Sequence, residues 1–260
     1  MIFSYVLCSV PAAAVRTEPS QKAEMSSQLL FGERAIVLKQ EGEWLYIECH
    51  WDHYEGWTHQ GNVSFITHKQ YKKETKQLSG IGTNRLILPQ GTQTILSPGS
   101  DLFGIKFNEF YWLSEASKYK GSKTVPGIST KAEWTLQCSM AYLGTPYLWG
   151  GRSLLGIDCS GLSQMLYKLH NIRLPRNAAQ QATIGETVGF LQEAQCGDLA
   201  FFDDEEGNII HVGILLDGQQ VLHASQKSGA VVIDAIDQGG IISKKLKKRT
   251  GKLRIVKRYL

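Results

Sequence analysis

Over its first 125 residues or so the chain never holds one direction for long. Arg34-Ala-Ile-Val-Leu-Lys, Glu43-Trp-Leu-Tyr-Ile-Glu-Cys and Tyr54-Glu-Gly-Trp-Thr-His are short alternating segments of six or seven residues, with Gly or acidic turn residues between them. A period of two gives a strand one apolar face, and short, closely spaced strands bury that face by curling into a small barrel. The stretch from Tyr71 to Val125 has the same texture, in Arg85-Leu-Ile-Leu-Pro, Gly91-Thr-Gln-Thr-Ile-Leu, Phe103-Gly-Ile-Lys-Phe and Phe110-Tyr-Trp-Leu. The expectation is two small all-β barrels, at 1–67 and 68–126, followed by a linker around Lys118 to Ser129, where Lys, Gly, Ser and Pro accumulate.

After the linker the pattern becomes helical. Lys131-Ala-Glu-Trp-Thr-Leu-Gln-Cys-Ser-Met-Ala-Tyr-Leu-Gly reads as a helix closing on Gly144 and Pro146. Leu162, Met165, Leu166 and Leu169 form an apolar stripe on a second helix. Asp198-Leu-Ala-Phe-Phe, His211-Val-Gly-Ile-Leu-Leu, Gln220-Val-Leu-His-Ala and Ala230-Val-Val-Ile-Asp read as strands. Helices followed by an antiparallel sheet make residues 127–260 an α+β domain.

With 42% hydrophobic and 20% charged residues, the chain has the apolar surface for packed cores and too little charge to stay unfolded; no membrane span is expected. The net charge of +4 is unevenly placed, for nine of the 28 basic residues lie between Gln238 and Leu260, where there is no acid. The rest holds 19 basic and 24 acidic residues, a balance of −5. Phosphate binding needs a basic face spread over the docking domain, so nucleic acid is not an expected partner, and the basic run reads as a solvated loop.

Five scattered cysteines, Cys8, Cys49, Cys138, Cys159 and Cys196, form no CxxC pair. Free thiols fit a reducing compartment, so a cytoplasmic location is expected, with export as the alternative. The opening residues lack a basic start, since the first Lys or Arg is Arg16, and Ser4, Ser9 and Pro11 interrupt the apolar run. They read as a first strand rather than a secretory signal. Cys49-His50-Trp-Asp-His53 with His59 lacks a second Cys pair to complete a metal site, and no glycine-rich phosphate loop is present, so neither metal nor cofactor is expected. Trp44, Trp51, Trp57 and Trp112 are read as barrel core or cleft wall.

Cys159 follows Asp158 at the start of the second helix, where the helix dipole and a nearby imidazolium can lower a thiol into the range of about 3.5–7.5. A thiolate there is a competent nucleophile once a histidine takes its proton and a third group fixes that histidine's tautomer. His211 opens one strand and His223 lies on the next, across the turn at Asp217-Gly218. Strands joined by a tight turn pair antiparallel, so the two histidines can face one another across the ladder.

Tyr147-Leu-Trp-Gly-Gly, Asp158-Cys-Ser-Gly-Leu, Leu174-Pro-Arg-Asn, Cys196-Gly-Asp-Leu-Ala-Phe-Phe, His211-Val-Gly-Ile and His223-Ala-Ser, in this order, resemble the NlpC/P60 family of cell-wall cysteine peptidases. The resemblance implies a papain-like domain with Cys159 as nucleophile, His211 as base and His223 as the residue orienting it. It also implies that the Tyr147 hydroxyl joins the Cys159 amide in stabilising the oxyanion, a contribution of about 2.7–4 kcal/mol per donor in comparable sites. The front half is similar to bacterial SH3 modules, and the combination resembles the dipeptidyl-peptidase VI subgroup. That implies hydrolysis of the γ-D-glutamyl–diamino acid bond, to meso-diaminopimelate or L-Lys, in murein stem peptides with a free L-Ala. Glu24, Tyr54 and Asp158 would surround the L-Ala ammonium, and Trp149 and Ser160 would line the same pocket. A monomer is expected. Asn177, where many relatives carry Asp, and the long turn at 226–229 depart from the family pattern. An N-acetylmuramoyl-L-alanine amidase on the same fold and a non-catalytic peptidoglycan-binding protein are the alternatives.

Overall fold

The computed structural model describes residues 4–110, 117–129 and 132–260. The chain divides into two compact units, 1–126 with 150–153 and 127–149 with 154–260.

Seven strands open the first unit: β1 (Ser4–Cys8), β2 (Ala12–Arg16), β3 (Met25–Leu30), β4 (Arg34–Glu41), β5 (Trp44–Cys49), β6 (Glu55–His59) and β7 (Val63–Ile66). They pair in the order β3-β2-β6-β5-β4-β1-β7 and form an SH3-like barrel. The alternation in the sequence is what fills it. Ala13 and Val15 of β2 and Leu45, Ile47 and Cys49 of β5 are buried, while the residues between them are partly exposed. With Val6, Cys8, Leu29, Ala35, Val37 and Val63 they make one apolar core, in which each buried Val, Leu or Ile contributes about 1.5–3 kcal/mol. Gly56 is required where β6 passes β2, because a Cβ there would lie 2.6 Å from a Val15 methyl and 2.9 Å from the Arg16 carbonyl oxygen. Trp57 is buried, and Trp44 and Trp51 are partly buried; Trp112 lies outside the described residues.

The second barrel expected at 68–126 is not formed. Asn84–Ile87, Gln93–Leu96, Glu109–Phe110 and Ser117–Lys120 make a four-stranded sheet, and Leu78–Ser79 with Lys123–Thr124 a separate pair. Strands of two to four residues carry too few apolar side chains to close on themselves. Their core of Leu86, Leu96, Leu102, Phe110 and Tyr119 is completed by Phe31, which follows β3. The Phe31 ring meets Phe110 edge-on at 5.1 Å, and the Phe31 carbonyl accepts the Asp101 N–H at 2.9 Å. Much of the expected linker is strand as well. Ser117 and Tyr119 point inward and Lys118 and Lys120 outward, so the polar composition there marks the exposed face of a strand.

Residues 150–153 also belong to this unit. The buried Arg152 guanidinium bonds both oxygens of the buried Glu33 carboxylate, at 2.8 and 3.1 Å, and the Gln28 carbonyl at 2.7 Å. An ion pair buried to this degree holds only when further hydrogen bonds support it.

The second unit begins with helix α1 (Ala132–Met140) and continues with α2 (Cys159–Leu169). Every residue of α2 is buried, so the apolar stripe has no solvated opposite face. Polar side chains on it are bonded internally, Ser163 donating to the Gln181 side-chain Oε1 at 2.7 Å and Gln164 to the Leu174 main-chain carbonyl at 2.9 Å. The sheet comprises β8 (Glu186–Val188), β9 (Leu199–Asp203), β10 (Ile209–Leu215), β11 (Gln220–Ser225), β12 (Ala230–Asp237), β13 (Gly240–Ser243) and β14 (Lys248–Arg258). The order is β8-β14-β9-β10-β11-β12-β13, and β13 pairs with β14 as well.

The basic terminal run is therefore the longest strand of this sheet, not a solvated loop. Its early residues pair with β13, as in Ser243↔Lys248, and its later ones with β9 and β8, as in Ala200↔Val256 and Val188↔Val256. Val256 is buried, while Arg249 pairs with the exposed Asp237 and Arg258 with the buried Asp198, each through two hydrogen bonds of 2.6–2.8 Å. A charge count does not register this pairing. Among the described residues no helix is long and apolar enough to cross a membrane.

Candidate active site

Asp158 adopts extended backbone (φ −99°, ψ 177°) and caps α2, its carboxylate accepting the Gly161 N–H at 2.7 Å. Cys159 thereby becomes the first residue of the helix, and the N–H groups of Ser160 and Val212 bond to its sulfur. Arg176 secures this start. Its guanidinium spans both Asp158 oxygens, 3.1 Å to Oδ1, and donates to the Ser160 hydroxyl at 2.8 Å. Arg176 and Asp158 are both buried, so the acid expected at a substrate ammonium already has a cationic partner. The sequence carries Arg176 within Leu174-Pro-Arg-Asn, but nothing local ties it to Asp158.

The histidines come from neighbouring strands. β10 and β11 pair Ile214 with Leu222 and Leu215 with Val221; continued, that register sets His223 opposite Gly213 and leaves His211 one diagonal step away. They are thus diagonal neighbours rather than directly opposed. The imidazoles still meet, His211 Nε2 lying 2.8 Å from His223 Nδ1 with the rings at 78°. Gly213 makes room for this, since a Cβ there would lie 2.4 Å from a Val221 methyl and 3.2 Å from the His223 Cβ. On the far side, His223 Nε2 lies 3.2 Å from Asp234 Oδ2 on β12. Asp234 Oδ1 accepts the Lys244 N–H at 2.8 Å, and the Ser243 side chain bonds to the same carboxylate. Asp234 was not singled out from the sequence; it is one of two aspartates in an otherwise apolar strand, and only the β11–β12 register brings it to His223.

Burial pushes the Cys159 thiol up to about 12, with the Asp158 charge adding to the effect and the two N–H groups and Arg176 opposing it. Burial also holds His211 well below its ordinary value of 6.5, helped by His223 and Lys227. The thiol pKa lowered by the helix start is therefore not what this environment gives. Both shifts favour the uncharged forms, a thiol and a neutral imidazole. Burial acts to raise Asp234, but the hydrogen bonds from His223, the Lys244 N–H and Ser243 outweigh it and keep the carboxyl below its usual range.

Tyr147, Trp149, Cys159, His211, His223 and Lys227 line one cavity of the second unit. Burial, with Cys159 and Asp158 nearby, raises the Tyr147 phenol to about 12, so it stays protonated and able to donate. Ser160 turns from that wall toward Asp158 Oδ1 at 3.3 Å. Asn177 precedes the short helix Ala178–Gln181 without capping it through its side chain. Glu24 and Tyr54 belong to the first unit. Glu24 is exposed just before β3, and Tyr54 packs half-buried against the barrel core. Among the described residues no group of three or more His, Cys, Asp or Glu side chains forms a metal site.

The NlpC/P60 family model matches residues 144–250, and that of the bacterial dipeptidyl-peptidase Sh3 domain matches residues 15–60. The gamma-D-glutamyl-L-lysine dipeptidyl-peptidase of Bacillus subtilis is 30% identical over 236 residues, 80% of this chain and 75% of that protein. This chain belongs to the NlpC/P60 family. Dipeptidyl-peptidase 6 of Lysinibacillus sphaericus is 28% identical over 87% of this chain and 89% of its own. A crystal structure of an NlpC/P60 family protein from Bacillus cereus shares the fold, with a TM-score of 0.82 at 18% identity over 99% of this chain and 100% of that one. As an NlpC/P60 protein the chain is a cysteine peptidase, which sets aside the non-catalytic alternative.

Proposed function

We propose that this NlpC/P60 protein hydrolyses the γ-D-glutamyl–diamino acid bond of murein stem peptides carrying a free N-terminal L-Ala, and releases L-Ala-γ-D-Glu. The observation that carries the reading is the hydrogen-bonded His211–His223 pair in a cavity that Cys159 also lines. The names of the Bacillus subtilis and Lysinibacillus sphaericus relatives supply the substrate class.

With Nε2 committed to His223, His211 presents Nδ1 to the thiol. Nδ1 takes the Cys159 proton as the sulfur attacks the γ-carbonyl carbon, and the carbonyl electrons move onto oxygen. The Cys159 N–H and Tyr147 O–H donate to that oxyanion. As the intermediate collapses, the C–N bond breaks and the diamino acid leaves as an amine with the proton from His211. Water, deprotonated by His211, then releases the dipeptide from the thioester. Within the second unit, Asp158 is assigned to the L-Ala ammonium and Trp149, which lines the cavity with Cys159, to the wall of its pocket. A monomer acting in the cytoplasm on recycled wall fragments fits this substrate.

The test is L-Ala-γ-D-Glu-L-Lys, and its meso-diaminopimelate analogue, against the same peptides N-acetylated on alanine, with intact sacculi as the amidase control. The free peptides are cleaved, acetylation nearly abolishes cleavage, and Cys159→Ala is inactive on all of them. Equal rates on blocked and free peptides would overturn the amine-recognition part, and an active Cys159→Ala would overturn the whole.

A further inference from the structure

The polar line in the second unit does not stop at the third member of the proposed triad. His211, His223 and Asp234 sit on three consecutive strands, β10, β11 and β12, each one diagonal step from the last, and join through contacts of 2.8 and 3.2 Å. His223 and Asp234 are each 2% exposed, so solvent does not supply alternative partners for the far end of this line. We propose that Asp234 is a positioning residue that sets the tautomer of His211 from two hydrogen bonds away.

The argument is one of donors and acceptors. An ionised carboxylate only accepts, so His223 must carry a hydrogen on Nε2 to meet Asp234 Oδ2. A neutral His223 then has a lone pair on Nδ1, and the contact at 2.8 Å requires the hydrogen to be on His211 Nε2. That leaves the lone pair of His211 on Nδ1, where a thiol proton can be received. Each assignment forces the next, and only the first is made by an atom outside the proposed triad. The orientation of Asp234 is itself fixed, because its other oxygen accepts the Lys244 N–H at 2.8 Å.

This rests on the Cys159–His211–His223 reading, and the experiment separates the two. In Asp234→Asn the Lys244 N–H still demands an oxygen, so the amide turns its NH2 toward His223 Nε2. The hydrogens along the line then reverse, and His211 carries its hydrogen on Nδ1, the wrong nitrogen. Asp234→Ala removes the bias without reversing it. On the free tripeptide, kcat is expected to fall roughly 100-fold or more in Asp234→Asn and by less in Asp234→Ala, with KM within about twofold in both. A merely structural aspartate gives the opposite order, since Asn preserves shape and Ala does not.

Imidazole 15N spectra of the unmodified full chain report the tautomer directly, whether or not the variants fold. His211 protonated on Nε2 is the result expected; His211 protonated on Nδ1, or Asn tolerated better than Ala, overturns the proposal. Cys159→Ala run alongside keeps the failures apart, because an active Cys159→Ala removes the triad while the 15N result still decides what Asp234 does to His211.

Discussion

Cys8 in the barrel and Cys159 at the start of α2 are both buried, and in each case burial pushes the thiol up to about 12. They differ in what the sulfur can reach. The Cys8 thiol donates toward the carbonyls of Val10 and Leu29, at 3.3 and 3.4 Å, and backbone hydrogen bonds from Val10 and Ala13 act to lower it, inside a core of apolar side chains. The Cys159 sulfur takes N–H groups from Ser160 and Val212 and opens on a cavity that it shares with His211. What separates a filler thiol from a nucleophile here is a base lining the same cavity, since the resting acidity and the backbone hydrogen bonds of the two are alike.

Removing the base sharpens this contrast most. His211→Ala is expected to lower kcat/KM on the free tripeptide roughly 10²–10⁴-fold and to bring iodoacetamide labelling of Cys159 down to the level of Cys8; labelling that stayed at the wild-type rate would erase the distinction. A smaller effect is the position of the acid limb of kcat/KM. His211 is held well below 6.5, so its neutral, proton-accepting form persists as the pH falls, and the limb is expected below pH 6.5. An acid limb above that value in a pH–rate profile would place the resting proton elsewhere. Least affected is the barrel, where Cys8→Ala should cost about 1 kcal/mol in urea unfolding and leave kcat unchanged. A loss of turnover in that variant would mean that the first cysteine is more than packing.

Much of the site was legible because its signals are local. Asp158 before Cys159 announces a capped helix, and the turn at Asp217-Gly218 announces a hairpin with His211 and His223 on its two strands. Asp234 and Arg176 were not legible as parts of it. Each acts on a residue 11 or 18 positions away through a register or a loop path that no local pattern encodes. The same limit explains the second barrel. Alternation shows that a segment is a strand, but whether a set of strands can close depends on their lengths and on where the missing apolar side chain comes from. In this chain it comes from Phe31, outside the segment. In the basic run the charges drew attention away from Leu253 and Val256, which lie three residues apart and reach the same core only because a bulge at Arg254 shifts the register between them.

β14 is the last strand of its sheet in chain order, yet it lies inside the sheet, between β8 and β9, and reaches β13 as well. During synthesis β9 has to wait for some fifty residues after its own emergence before its second neighbour exists. Until then β8, β9 and β13 each present an open row of peptide groups, the kind of edge that recruits other chains. A nascent chain extended past Asp234 but not yet to Lys248 would therefore carry Cys159, both histidines and Asp234 with the sheet still open, which makes the completion of this sheet a late event in the life of each molecule.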